Sequence, residues 1–332
     1  MIDLHLHLDG SLSIEDFKHL ASRQGLDLGS DFPNNIYVDE NCRSLEEYLE
    51  RFDLPLMLLQ DSYSIEYVMK SLINRLYELG YIYSEIRFAP QLHTSKGLSQ
   101  EDAVKAAING LKEALKDKQF NAKIILCCMR QAEYETNLPT ILLAEKYALD
   151  GVAGVDLAGP EAFHSADYYT SLFDEAKKRN VHITIHAGEA CGSDEIIKAI
   201  KLLGTERIGH GVHLELNDEN VDLILKNNIS FEFCPTSNLQ TTSLSSYKDV
   251  PLKEFINKGI RVTINSDNMS VSDTDVIDEF IHLIDAFDLS KDDILNLLNN
   301  SIEASFTSDK EKQALKDELV DGFDRFYSLI SI

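Results

Sequence analysis

Two histidines separated by one leucine, His5 and His7, stand in the stretch IDLHLHLDGS near the start of the chain. Side chains two apart on a strand project to one face. Asp3, His5, His7 and Asp9 therefore share a face opposite Ile2, Leu4, Leu6 and Leu8. The pattern recurs twice. In VHITIHAGE, His182, Thr184 and His186 alternate with Val181, Ile183 and Ile185; in RVTINSD, Thr263, Asn265 and Asp267 alternate with Val262 and Ile264. If the apolar faces meet covering helices, the imidazoles are forced inward, where each needs a hydrogen-bond partner or a metal. His5, His7, His186 and Asp267 together suit zinc or a similar divalent ion. HxH alone is common by chance; agreement of parity on three strands, with His186 and Asp267 at strand ends, gives the expectation its weight.

Two further residues complete a reaction. Glu189 follows His186 by three positions in HAGE, just past the strand end. A carboxyl group in a partly apolar pocket there has a raised pKa and carries a proton at neutral pH. His210, in RIGHG, has a glycine on either side that leaves space beside the ring. It is placed to take a proton from metal-bound water or to hold the resulting hydroxide. On its own, Glu189 reads equally as a carboxylate favouring a helix N-terminus.

Eight short apolar segments alternate with helical patterns and position these residues: 2–8, 81–90, 123–130, 151–159, 181–188, 206–211, 229–235 and 260–267. Strands alternating with helices predict an α/β fold, a (β/α)8 TIM-type barrel, with an open doubly wound sheet as the alternative. Residues 1–332 read as a single barrel domain. The first crossover is too long, so extra helices are inserted after the first strand, forming a helical lid over about residues 13–80. Ser13, Ser44 and Ser64 each stand where a helix cap is expected, and Ser44 with Glu47 has capping-box spacing. The run LPLMLL in this segment is placed to wall a pocket or simply to pack.

Composition narrows the partners. The 332 residues carry 31 Lys+Arg against 56 Asp+Glu, a formal charge of −25. Nucleic acid and anionic membrane surfaces call for a basic face, so neither is expected. Five cysteines without a CxxC pair read as reduced thiols. No charged leader with an apolar core precedes the first strand, and no apolar run reaches about 18 residues. A cytoplasmic protein is expected. The sequence does not set the oligomeric state.

HLHLDGS, DLAG, HAGE, RIGHGVH, CPTSN and INSDN, in that order from Ile2 to about Asp275, resemble the adenosine deaminases of the amidohydrolase superfamily. The resemblance implies a barrel with one Zn2+ per chain that converts adenosine to inosine and ammonia, and 2′-deoxyadenosine to deoxyinosine. It implies His5, His7, His186 and Asp267 as ligands and Glu189 as proton donor to purine N1. His210 would activate or orient the zinc hydroxide attacking C6, with Asp267 hydrogen-bonded to it. His7, Asp9, Gly159 and Asn268 would face the substrate, a small purine nucleoside. Asp9 would bind a ribose hydroxyl, and Gly159 would offer its N–H to the purine. Leu49, Phe52 and Leu56 would be apolar contacts from the lid. One departure stands out: many members carry a second aspartate where this chain has Asn268, whose amide donates to N7 without first being protonated.

Rival readings follow from the same residues. An adenine or modified-adenine-nucleoside deaminase keeps the chemistry and changes the pocket. A two-metal amide or ester hydrolase would need a bridging lysine that GVDLAG lacks. A nucleoside-binding barrel without catalysis would have lost Glu189 or a ligand. The His/Cys zinc deaminases carry HxE and PCxxC, absent here. His19, His93 and His282 read as surface or core residues, and His182 as structural. His164 is left undecided.

Overall fold

Each of the eight apolar segments forms a strand in the computed structural model, which describes residues 1–29, 32–38 and 42–331. They are β1 (Ile2–His7), β2 (Tyr83–Phe88), β3 (Asn121–Met129), β4 (Val152–Ala158), β5 (His182–Ala187), β6 (Arg207–His210), β7 (Ser230–Phe233) and β8 (Arg261–Ile264). Every strand lies parallel to the next in sequence order. The two ends of the sheet meet just beyond β8. There Asp267 N donates to His5 O at 2.8 Å and His7 N donates to Asp267 O at 2.7 Å. The (β/α)8 barrel is thereby brought round on itself, and Asp267 is set beside both histidines by main-chain bonds.

Between β1 and β2 lie α1 (Ile14–Gln24), α2 (Leu45–Leu49), α3 (Asp53–Leu58) and α4 (Ser62–Glu78). The helices that follow are α5 (Gln100–Leu115), α6 (Tyr134–Lys146), α7 (Thr170–Lys178), α8 (Ser193–Lys198), α9 (Asp218–Asn227) and α10 (Pro235–Gln240). The chain closes with α11 (Leu252–Asn257), α12 (Val276–Phe287), α13 (Lys291–Ala304) and α14 (Asp309–Ile330). Ser13 caps α1 in a reciprocal capping box with Asp16. Ser44 Oγ accepts from Glu47 N at 3.2 Å as expected, but the Glu47 carboxylate turns to Arg43 N at 2.7 Å. The third cap differs from the sequence expectation: Asp61, not Ser64, caps α4, its carboxylate accepting from Ser64 N at 2.9 Å. Asp is the equal of Ser in this role, and the helix begins earlier than the apolar periodicity suggests. Helix α4 packs on α5 and is the ordinary covering helix of the first crossover.

Ile2, Leu4, Leu6 and Leu8 are buried in the apolar core, as the parity requires. The opposite face is polar and equally buried: Asp3, His5, Glu85, Arg87, Asp156, Arg207 and Glu232 are each at most 1% exposed. Barrel interiors are ordinarily filled with branched apolar side chains. Charges persist here because each finds a partner.

Candidate active site

Strands β1, β5 and β6 and the turn after β8 deliver the metal-binding residue types to one point. Donor atoms of His5, His186, His210 and Asp267 all lie within 4.8 Å of one another, a group able to hold one metal ion. His7 belongs to the same cluster, its Nε2 3.3 Å from Nε2 of His186 and 3.4 Å from Oδ1 of Asp267. His5 Nε2 stands 3.5 Å from that oxygen and is buried without a hydrogen-bond partner among the described residues. A buried ring nitrogen left open beside a carboxylate and other imidazoles is what a cation site requires. His210 and Asp267 both hold left-handed backbone, with φ of 61° and 60°. Such conformations persist where the surroundings over-determine them, often at functional sites.

Carboxylates behind the histidines orient their rings. Burial opposes the charge on Glu232, but Arg87 and Arg207 hold its carboxyl well below the usual range. An ionised carboxylate only accepts, so Nδ1 of His5, 2.7 Å from Glu232 Oε2, is the donor and its Nε2 faces the cluster. Nδ1 of His186 likewise stands 2.9 Å from Asp156. Arg87 joins the two carboxylates, donating to Asp156 and Glu232 at 2.9 Å each. Arg207 lies 2.6 Å from both Glu85 and Glu232. The space for His5 depends on Gly209, where a Cβ would come 2.9 Å from the imidazole Cε1.

Over this floor lies a cavity of about 200 Å3. Glu189 enters it from the turn after β5 and is 6% exposed. Burial, then the charges of Asp267 and Glu161, push its carboxyl well above the usual range and favour its protonated form. His210 Nε2 lies 3.7 Å from Glu189 Oε2. Burial, then His5, hold this imidazole well below its ordinary range, and it is neutral. The side-chain amide of Asn238 in CPTSN pairs with Nδ1 of His210 at 3.1 Å, which turns Nε2 toward Glu189.

The walls divide by chemistry. Leu45, Leu49, Phe52 and Leu56 line the cavity from the segment between β1 and β2, while Asp9, Gly159 and Asn268 line it from the strand ends. Asp9 Oδ1 is buried without a partner among the described residues. Asn268 Nδ2 donates to the Tyr48 hydroxyl at 2.8 Å, and that hydroxyl meets Ser272 Oγ at 2.7 Å. The amide keeps a second N–H for a ligand.

Of the remaining histidines, His164 lies outside this cavity beside Tyr168 and Tyr169. His182 pairs with Glu206 near the surface, and His93 is buried with Nδ1 2.8 Å from Leu59 O. His19 is exposed against Tyr63, and His282 stacks on Tyr247. The sequence reading missed Asp156, Glu161, Glu232, Asn238 and Tyr48. Strand parity held a signal for two of them: Glu232 stands between phenylalanines in SFEF, and Asp156 sits in GVDLAG at the parity of inward residues.

The adenosine deaminase family model matches residues 1–322. An adenosine deaminase of Haemophilus ducreyi is 42% identical over 95% of this chain and 94% of its own length. One of Clostridium acetobutylicum is 35% identical over 96% of each. Among solved structures, adenine deaminase of Arthrobacter aurescens superposes with a TM-score of 0.87 at 26% identity, covering 97% of this chain and 98% of that one. An Arabidopsis N6-mAMP deaminase gives 0.86 at 26%, covering 96% and 97%. With a match of this length and identity, the chain belongs to the adenosine deaminase family.

Proposed function

We propose that this protein hydrolyses adenosine and 2′-deoxyadenosine to inosine and deoxyinosine, releasing ammonia. The observation that carries the reading is the buried carboxyl of Glu189, whose surroundings favour its protonated form, sharing one cavity with the histidine–aspartate cluster and with Asp9. Zinc fits the cluster. A tetrahedron with bonds of about 2.0–2.1 Å has edges of about 3.3–3.4 Å. The separations His7–His186, His7–Asp267 and His5–Asp267 are 3.3, 3.4 and 3.5 Å. We take His5, His7, His186 and Asp267 as the residues that would hold the ion, with His210, whose donor atom also lies within 4.8 Å of those of His5, His186 and Asp267, as their neighbour. A zinc ion held there would lower the pKa of a water toward about 7 and would supply a nucleophile near neutral pH.

The chain's own residues do the rest. Glu189 gives its proton to N1, which makes C6 electrophilic. With the Asn238 amide turned so that its otherwise unpartnered oxygen accepts from Nδ1–H, Nε2 of His210 orients the attacking oxygen and takes the proton it loses, which then goes to the leaving amine. A C6–O bond forms, the C6–N6 bond breaks and ammonia departs, and the proton left on the new hydroxyl returns to the Glu189 carboxylate as the C6 carbonyl forms. Gly159 and Asn268 address the purine, Asp9 a ribose hydroxyl, and the lid residues exclude water. The five free cysteines support a reducing, cytoplasmic setting. Among the described residues, no helix is long and apolar enough to cross a membrane.

A second reading, deamination of adenine or a modified adenine nucleoside or nucleotide, is favoured by the two structural neighbours named above. An ultraviolet assay with adenosine, deoxyadenosine, adenine and N6-methyl-AMP side by side separates the two. Fast conversion of the nucleosides with adenine inert is the expected result. Turnover of adenine or N6-methyl-AMP alone overturns the substrate and leaves the chemistry. Glu189→Gln is expected to lower kcat by about 10^3-fold with zinc content unchanged, since the residue is not a ligand.

A further inference from the structure

We propose that Glu161 is a positioning residue for Glu189, an inference that rests on the reading of Glu189 as proton donor. Glu161 begins a short helical turn just after β4 and is 3% exposed. Its two carboxylate oxygens accept four consecutive main-chain N–H groups. Oε1 takes Gly188 N at 2.6 Å, and Oε2 takes Glu189 N at 3.1 Å, Ala190 N at 2.8 Å and Cys191 N at 3.0 Å. Successive amides converge on one anion only when the chain is curled into a concave nest. Here Gly188 supplies the curl with a φ of +73°. A carboxylate fixes that curl because it only accepts; any group presenting a hydrogen would oppose an N–H.

The consequence is geometric. Glu189 stands on a loop with no strand or helix of its own, between the end of β5 at Ala187 and the start of α8 at Ser193. Its side chain must nevertheless meet one nitrogen of a bound base. Glu161 removes the freedom of that loop at the residue itself and on both sides of it. The same β4 loop carries Gly159, which lines the cavity two residues earlier. The residue that addresses the base and the residue that clamps the acid are thus separated only by Pro160, whose φ is −67°. Base and acid are held in one frame.

A second carboxylate provides the control. Glu195 also ties the β4 loop to the segment after β5, accepting from Ser165 Oγ at 2.6 Å and Ala166 N at 2.7 Å. Its bonds do not touch residues 188–191.

The test is a mutant cycle. Glu161→Gln keeps the shape but turns an NH2 group against the nest. Its kcat is expected to fall about 100-fold, the cost of a misplaced catalytic group, with KM within about threefold, zinc content unchanged and exchange of the Ala190 and Cys191 amides accelerated. Glu195→Gln is expected to keep kcat within about twofold. In a Glu189→Gln background, Glu161→Gln should leave the residual rate unchanged, because a residue acting only through Glu189 has nothing left to position. A kcat within threefold of the parent overturns the proposal. So does an equal further loss in the Glu189→Gln background, or loss of zinc with activity. Should Glu161→Gln not fold, Glu161→Asp, which keeps the charge but falls short of the nest, is read in the same cycle. If Glu189→Gln itself turns over at the parent rate, the proton-donor reading has failed and this inference falls with it.

Discussion

Beneath the cavity, Arg87 and Arg207 bind Asp156, Glu232 and Glu85 in one continuous set of ion pairs 2.6–2.9 Å long. Over the cavity, Leu45, Leu49, Phe52 and Leu56 meet it with apolar surface, and Tyr48 is the tie to Asn268 and Ser272. The difference follows from what each region must do. Ion pairs and charge-assisted hydrogen bonds are directional, so they fix imidazoles to the tenths of an ångström that a metal demands. Apolar contacts are non-directional and can part and re-form as a ligand enters.

Three perturbations break or sharpen this contrast. The largest effect is expected for Glu232→Gln. It frees Nδ1 of His5 and leaves Arg87 and Arg207 short of a partner. Zinc affinity should fall 10- to 100-fold by chelator competition, and the metal-free protein should lose about 3 kcal/mol to urea. Unchanged zinc affinity would mean that the floor supports the fold and not the metal.

Next comes acid stability, read at the junction of lid and barrel. His93 is buried with its ring bonded to Leu59 O, and burial lowers its pKa to about 4. The folded protein resists protonating it, so its contribution is complete above about 6.5 and drains away as pH falls toward 4. Between those limits the loss is about 3 kcal/mol. A variant such as His93→Gln should lack that share of the acid dependence in urea titrations at pH 7 and pH 4.5. Parallel curves for parent and variant would refute the assignment.

The smallest effect belongs to Tyr48→Phe. Of the two hydrogen bonds lost, to Asn268 and to Ser272, the one to Asn268 bears on the ligand; at about 1 kcal/mol it should raise KM about fivefold, with kcat and zinc content unchanged. A hundredfold fall in kcat would move Tyr48 from lid to chemistry.

The fold was largely legible because eight short apolar segments alternate with helical patterns, and on β1 and β5 period-two alternation marks the inward face. Glu161 was not, since its partners are main-chain amides that no residue type announces. Asn238 and Tyr48 were hidden differently, as their partners His210 and Asn268 lie 28 and 220 residues away. The cap of α4 shows the limit of local patterns, because Asp61 and Ser64 were equally eligible by type.

What the sequence by itself determined is which side of each strand every residue faces, since covalent geometry alternates side chains wherever the strand lies. That placed His5, His7 and His186 inward and their apolar neighbours outward, whereas Asp267 lies in the turn beyond β8 and is set by its main-chain bonds to His5 and His7. Only the tertiary structure decided which charge answers which. Pairing Glu232 with His5, or Glu161 with the amides of Gly188–Cys191, depends on how eight strands close and how their loops meet. Coulomb and hydrogen-bond energies fall steeply with distance, and that distance is set by closure, not by spacing along the chain.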